Sequence, residues 1–262
     1  MIIVKIYGGL AGQMMQYAFA NFLEGKKKEQ VKLVISFYGE QKHNISFRKF
    51  ELLNLQPVPE TWKHRDELLF TVVHQTSEIW LKHCTAEAIQ ALEYLKKDEI
   101  RPALRLFPRM MLDIKFCHDA LDMLEQMSPW DYQQVRRALG HGSGFDSPGM
   151  NSIRKAIPGL GVEFKRLLAA ANLDLVQLFV RHTEFEDLYL LAEALVELDE
   201  RMYLWRHRHF KVVERSIGLK VSGTQGTPVE ILARLNTFTF FPELWDARTD
   251  LTNYAIAEEG EN

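Results

Sequence analysis

Residues 183–218 read TEFEDLYLLAEALVELDERMYLWRHRHFKVVERSIG, and this stretch decides the fold. Leu195, Leu198, Met202, Trp205, His209, Val212 and Ser216 recur at intervals of three and four, which puts them on one face of a helix. Thr183-Glu184-Phe185-Glu186 has the form of a capping box, and the helix it opens need not break until Gly218. His209 lies in the middle of the apolar stripe. His207, about 200° around the helix, falls among Glu200, Tyr203, Lys211 and Glu214, so the two histidines cannot ligate one ion.

On either side the helical pattern continues. Asp66 to Lys97 predicts one long helix, and Pro102 to Met127 predicts another. Ser128-Pro129-Trp130-Asp131 is a helix start, with serine as N-cap and proline at the first position, and that helix runs to Leu139. Gly140 to Gly149 is the densest run of loop formers, and Ser222 to Pro228 is a second glycine-rich loop. A last short helical region ends near Ala247, and the acidic tail from Glu258 is expected to fray. The expected class is therefore mainly α.

The first residues have a different texture. Ile2 to Ile6 and Val31 to Phe37 are β-branched runs, and Gly12 to Gly25 between them reads as a helix, giving a short βαβ-like segment. Gly8-Gly9 and Gly12 do not complete a G-x-G-x-x-G, so the turn after Ile6 is read as a tight turn rather than a phosphate cradle. Residues 1–56 carry 8 Lys and Arg against 4 Asp and Glu, while the remainder carries 24 against 31. This shift divides the chain into a leader, 1–56, and an all-helical domain, 57–262.

Composition excludes several classes. A hydrophobic fraction of 47% supports a real core, and a net charge of −3 argues against nucleic-acid binding, which needs a basic surface. No 18-residue apolar run exists to span a bilayer, and the start lacks the basic region of a secretory signal. Cys84 and Cys117 are too few for a cysteine metal cluster and read as reduced core thiols of a cytoplasmic protein. No H-E-x-x-H or Ser-His-Asp spacing supports zinc or triad hydrolysis.

Three side chains remain as candidates. A lone histidine on an apolar stripe is commonly a core residue with a polar partner, yet the face of His209 offers none, and a buried imidazole needs one. A haem iron would serve. His74 closes an apolar turn, Leu68 to Val73, and is read either as a second site residue or as a core histidine bonded to Ser77 or a backbone carbonyl. Arg136 stands one turn beyond Tyr132 and could hold a carboxylate bidentately, or simply be a solvated charge.

Taken together, these stretches resemble the tryptophan 2,3-dioxygenase family of haem proteins over about residues 57–250. The resemblance rests on Asp66-Glu67-Leu68-Leu69-Phe70-x-x-x-His74-Gln75-x-x-Glu78-Ile79-Trp80-Leu81-Lys82 and on Asp131-Tyr132 through Arg136 with Ser143-Gly144-Phe145-x-Ser147. It also rests on Leu204-Trp205-Arg206-x-x-His209-x-x-Val212-Val213-x-Arg215-x-Ile217-Gly218 and on Phe240-Phe241-Pro242-Glu243-Leu244-Trp245-x-x-Arg248. It implies a helical haem-binding bundle with haem b, ferrous in the active state, on His209 as axial ligand. It implies His74 as the distal catalytic histidine, Phe70 and Tyr132 as pocket walls, Arg136 as the carboxylate anchor and Thr224 as a contact for the substrate ammonium. The substrates implied are an aromatic L-amino acid and O2, the product of tryptophan being N-formylkynurenine, and the assembly a homo-oligomer, tetramer or dimer.

This chain departs from the pattern in three places. Ser77 and Leu81 stand where the family carries aromatics, and the loop from Gly223 to Pro228 is one residue shorter. The family's N-terminal tyrosine, which closes a neighbouring subunit's pocket, has no counterpart in Ser46 to Phe50. Two other readings of the same residues are a haem-dependent hydroxylase of a tyrosine-like substrate and a non-catalytic haem-binding protein disabled by its leader. That leader, from Ile2-Ile3-Val4-Lys5-Ile6-Tyr7-Gly8-Gly9-Leu10 through Gln13, Gln16 and Tyr17 to His43-Asn44, resembles the opening of bacterial α-1,2-fucosyltransferases but lacks their later motif.

Overall fold

The two β-branched runs form a pair of parallel strands, β1 (Ile2–Lys5) and β2 (Val31–Val34), with Ile2 opposite Val31 and Val4 opposite Leu33. Parallel strands cannot be joined by a hairpin. The helix expected between them, like Ser46 to Phe50, lies outside the described residues. The computed structural model describes residues 2–5, 31–34, 63–139, 147–222 and 237–260. The strands belong to a unit spanning Met1–Pro59, and a second unit spans Glu60–Asn262.

The elements described in the second unit are all helices. Leu81, Cys84, Ala88, Ala91 and Leu95 recur every three or four residues on α1 (Asp66–Leu95), and all five are buried. The sequence pattern from Pro102 to Met127 is two helices rather than one, α2 (Ile100–Leu104) and α3 (Phe107–Leu124). Pro108 is the physical reason: it has no N–H for a preceding carbonyl and disfavours helical geometry just before it, so a new helix starts around it. α3 runs antiparallel to α1, since Trp80 meets Phe116, His83 meets Asp113 and Cys84 meets the Met110 carbonyl. α4 (Pro129–Leu139) starts as its sequence predicts, with Ser128 Oγ accepting the Asp131 N–H at 3.1 Å.

A 23-residue helix, α5 (Pro148–Ala170), begins inside the stretch expected to be loop. Gly149, Pro158, Gly159 and Gly161 hide it from sequence propensity. Two of those glycines are packing requirements. A Cβ on Gly149 would lie 2.6 Å from Leu81 Cβ, and one on Gly161 would lie 2.8 Å from the Phe241 ring. α5 thus lies directly on α1, its N-cap Ser147 accepting from the Met150 N–H at 3.0 Å.

The capping box also falls elsewhere than expected. Asp174 and Gln177 form it at the head of α6 (Leu175–Val180), with Asp174 Oδ1 accepting the Gln177 N–H at 2.7 Å and Gln177 Oε1 accepting the Asp174 N–H at 3.0 Å. Thr183 caps nothing: Glu184 is taken by Arg181, and α7 (Glu186–Ile217) starts after Phe185 without a side-chain cap. α7 ends at Gly218 as expected, with φ at +79°, a conformation open to glycine. The last helix, α8 (Pro242–Gly260), is 19 residues long and continues well past Ala247, taking in the acidic residues expected to fray.

The helices enclose one large apolar core, in which Phe107, Phe164 and Phe241 are the bulkiest fully buried side chains. Asp199 of α7 is also fully buried there. Its carboxylate accepts the backbone N–H of Phe240 at 2.9 Å, the N–H of Phe241 at 3.1 Å and the Trp245 indole N–H at 3.1 Å. A buried carboxylate needs this many donors, and here they fix the entry to α8. A smaller cluster of Val73, Leu121, Leu124 and Val212, flanked by Leu69, Phe70 and Trp205, ties α1, α3 and α7 together beside the candidate site.

Candidate functional site

α1 and α7 bring His74 and His209 into one neighbourhood. His74 Nδ1 lies 2.8 Å from the Phe70 carbonyl. A carbonyl only accepts, so Nδ1 carries the proton and Nε2 keeps a free lone pair. The turn from Leu68 is less buried than its composition suggests, since only Val73 is fully covered while Val72 and His74 are exposed. Of the partners open to His74, the backbone carbonyl is the one it uses. Ser77 instead donates to the Val73 carbonyl at 2.8 Å.

Aromatic walls adjoin it. The Phe70 ring stacks on His74 at 4.0 Å, and Tyr132 of α4 stands 6.2 Å from Phe70. Burial raises the Tyr132 pKa, opposed by the charge of Arg136 one turn further along α4. Arg136 itself donates from Nη2 to the Ser222 carbonyl at 2.8 Å. Thr224 and Ser143 to Phe145 lie outside the described residues.

His209 stacks on Trp205 with ring centroids 5.2 Å apart and planes within 11°. Burial, then the nearby charge of His74, pushes its pKa down to about 4. The His74 pKa is also lowered, chiefly by burial, against the Phe70 hydrogen bond and the charge of Glu78. Both rings nevertheless retain accessible surface. His207 is exposed and stacks on Tyr203, off the stripe.

Two neighbours hold this arrangement in place. Glu78, one turn beyond His74, accepts the Ser147 hydroxyl and the Gly149 N–H, the latter at 2.8 Å, and so fixes the start of α5 against α1. Asp199 fixes the start of α8. Glu78 was visible only as part of a motif, and neither role could be read from periodicity, because the bonded partners are 41 to 71 residues apart. Leu81 is buried in the helix core against Gly149, so its departure from the family's aromatic is a packing change.

The donor set suits a haem. An imidazole with a pKa of about 4 is neutral at pH 7, as iron ligation requires. No hydrogen bond occupies His209 among the described residues, and the Trp205 indole N–H beside it is buried without an acceptor. A third group, His64, Asp66 and Asp131, lies close enough to hold an ion. His64 there already accepts the Asp66 N–H through Nδ1 at 3.2 Å and faces Asp131 through Nε2 at 3.3 Å, which is a network joining two helix starts.

A family model described as Tryptophan 2,3-dioxygenase matches residues 48–157. A tryptophan 2,3-dioxygenase of Kineococcus radiotolerans is 32% identical over 87% of this chain and 97% of its own length. The chain belongs to the tryptophan 2,3-dioxygenase family. Other members of that family similar to it are those of Saccharopolyspora erythraea, 33% identical over 76% of this chain and 89% of the relative, and Myxococcus xanthus, 30% identical over 77% and 86%. The mainly α architecture agrees with the family assignment made from the motifs. Among the described residues no helix is long and apolar enough to cross a membrane.

Proposed function

We propose that this dioxygenase-family chain cleaves the C2–C3 bond of L-tryptophan with O2, both oxygen atoms entering N-formylkynurenine. The observation that carries the proposal is the placement of two imidazoles, His74 on α1 and His209 on α7, near enough that the charge of His74 helps to lower the His209 pKa. His209 would hold a haem b. Bound there in its ferrous form, the haem supplies the activation of O2.

The side chains supply binding and orientation. His74, with Nδ1 engaged at Phe70, offers Nε2 as an acceptor for an indole N–H. Phe70 and Tyr132 give the ring apolar walls. Arg136 spends one donor on Ser222 and keeps others for the amino acid carboxylate, and Thr224 completes recognition at the ammonium. Catalysis belongs to residues 57–262, with 1–56 a leader without chemistry of its own, and the protein works in the cytoplasm as a homo-oligomer.

The test is direct. The purified chain is reconstituted with haem, its spectrum recorded before and after dithionite, and the reduced protein given tryptophan or tyrosine with labelled O2. The expected result is a haem spectrum and a tryptophan product carrying two labelled oxygens. A product from tyrosine carrying one oxygen, or a chain that takes up no haem, overturns the proposal.

A further inference from the structure

Two consecutive residues of α7, Trp205 and Arg206, carry buried N–H groups with no acceptor among the described residues: Trp205 Nε1 and Arg206 Nε. An unmet buried donor is costly, so native proteins rarely leave one. Two side by side, one of them on a cation, indicate that whatever fills the adjoining space brings anionic oxygens.

Their placement says what that is. At 100° per residue, Trp205 lies about 40° to one side of His209 on the helix surface and Arg206 about 60° to the other, each roughly one turn earlier. The indole stacks on the His209 ring and packs against the cluster of Val73, Leu121, Leu124 and Val212. The guanidinium lies over the rings of Phe238 and Phe240 and spends one Nη2 hydrogen on the Phe238 carbonyl at 2.6 Å. Among the described residues no carboxylate is hydrogen-bonded to it. Asp199, the carboxylate whose charge acts on it, is committed to Phe240, Phe241 and Trp245. Burial accordingly lowers the Arg206 pKa.

We infer that Trp205 and Arg206 form the anchor for the carboxylates of the tetrapyrrole held by His209, the indole N–H and the guanidinium Nε each donating to a carboxylate oxygen. The inference rests on the haem reading of His209. It adds to the axial bond a charge-specific contact, so cofactor affinity depends on porphyrin carboxylates as well as on iron.

The experiment compares two probes, haem and haem dimethyl ester, in wild type and in Trp205→Phe, which keeps an aromatic ring on His209 but removes the N–H. Release is followed as transfer to excess apomyoglobin, with far-ultraviolet circular dichroism as the check on folding. Trp205→Phe should release haem about tenfold faster than wild type, as expected for loss of a hydrogen bond to a charged group, and release the diester at the wild-type rate. Arg206→Met should shift the two probes in the same unequal way.

Equal acceleration of both probes assigns Trp205 to shape alone and overturns the inference, as does no acceleration of either. Should the phenylalanine variant not fold, β-(3-benzothienyl)alanine at position 205 preserves the bicyclic ring without the N–H and gives the same comparison. Wild-type protein that takes up neither probe refutes the haem reading itself, an outcome distinct from two probes bound alike.

Discussion

Replacing Asp199 measures how much of the helical unit hangs on one buried charge. In Asp199→Asn the shape is kept, but an amide hydrogen must face one of the donors now served by the carboxylate. Asp199 Oδ2 receives Phe240, Phe241 and Trp245, and Oδ1 shares the Phe240 N–H at 3.0 Å. The carbonyl of asparagine can keep the Oδ2 position, leaving the amide opposed to Phe240. One charge-assisted set becomes neutral and one contact becomes repulsive, for an expected loss of about 2–3 kcal/mol. Asp199→Ala abandons three donors, two of them at the entry to α8, and should cost about 4 kcal/mol or more. For a unit of this size each kcal/mol is roughly 2–4 °C in Tm. Thermal melts followed by circular dichroism should therefore fall by about 4–12 °C for Asn and further for Ala. An asparagine variant melting with wild type would refute the reasoning, because it would mean that the donors do not depend on the charge.

His209→Ala should abolish stoichiometric haem binding with helical content retained, whereas His207→Ala should leave binding unchanged; equal loss in both, read from the haem spectrum, would sink the assignment of faces. In the haem-free protein His209 has its folded pKa lowered from 6.5 to about 4, so the unfolded chain binds its proton first as pH falls. Its contribution is fully present above pH 6.5 and is lost between about 6.5 and 4, on the order of 3 kcal/mol. Urea midpoints at pH 7 and 4.5 should therefore differ less in His209→Phe than in wild type, and an unchanged difference would exclude His209 as a source. Arg136→Leu should raise the KM for tryptophan at least tenfold while leaving indole binding nearly intact, and Arg137→Leu should do neither. Spectral titrations of the two variants decide it, and wild-type affinity in Arg136→Leu would remove the carboxylate role.

What could be read in the sequence was what neighbours along the chain determine. The face of His209, the start of α4 at Ser128 and the stop at Gly218 are local facts, settled within one or two helical turns. α5 was hidden because its glycines serve contacts with Leu81 and Phe241, residues distant in sequence, and so look like loop formers. The four residues from Thr183 have the letters of a cap, yet Arg181 captures Glu184, and the working box is Asp174 with Gln177. Within the site, helical spacing gave the directions of His209 and of Tyr132 with Arg136. It could not show the Phe70 carbonyl as the partner that fixes the His74 tautomer, nor Glu78 clasping the start of α5.

The seam between α1 and α3 has a chemical consequence of its own. Cys84 and Cys117 are both buried in it as free thiols, and burial pushes the Cys117 pKa up to about 12 and that of Cys84 up as well. At pH 7 a thiol of pKa 12 is thiolate about one part in 10⁵ of the time, and the thiolate is the form that alkylates or oxidises. A protein that handles O2 thus keeps its two thiols chemically silent for as long as the helices stay together. Each modification by a thiol reagent then records an opening of the seam, so the rate of labelling becomes a clock for how often the interior of this bundle is breached.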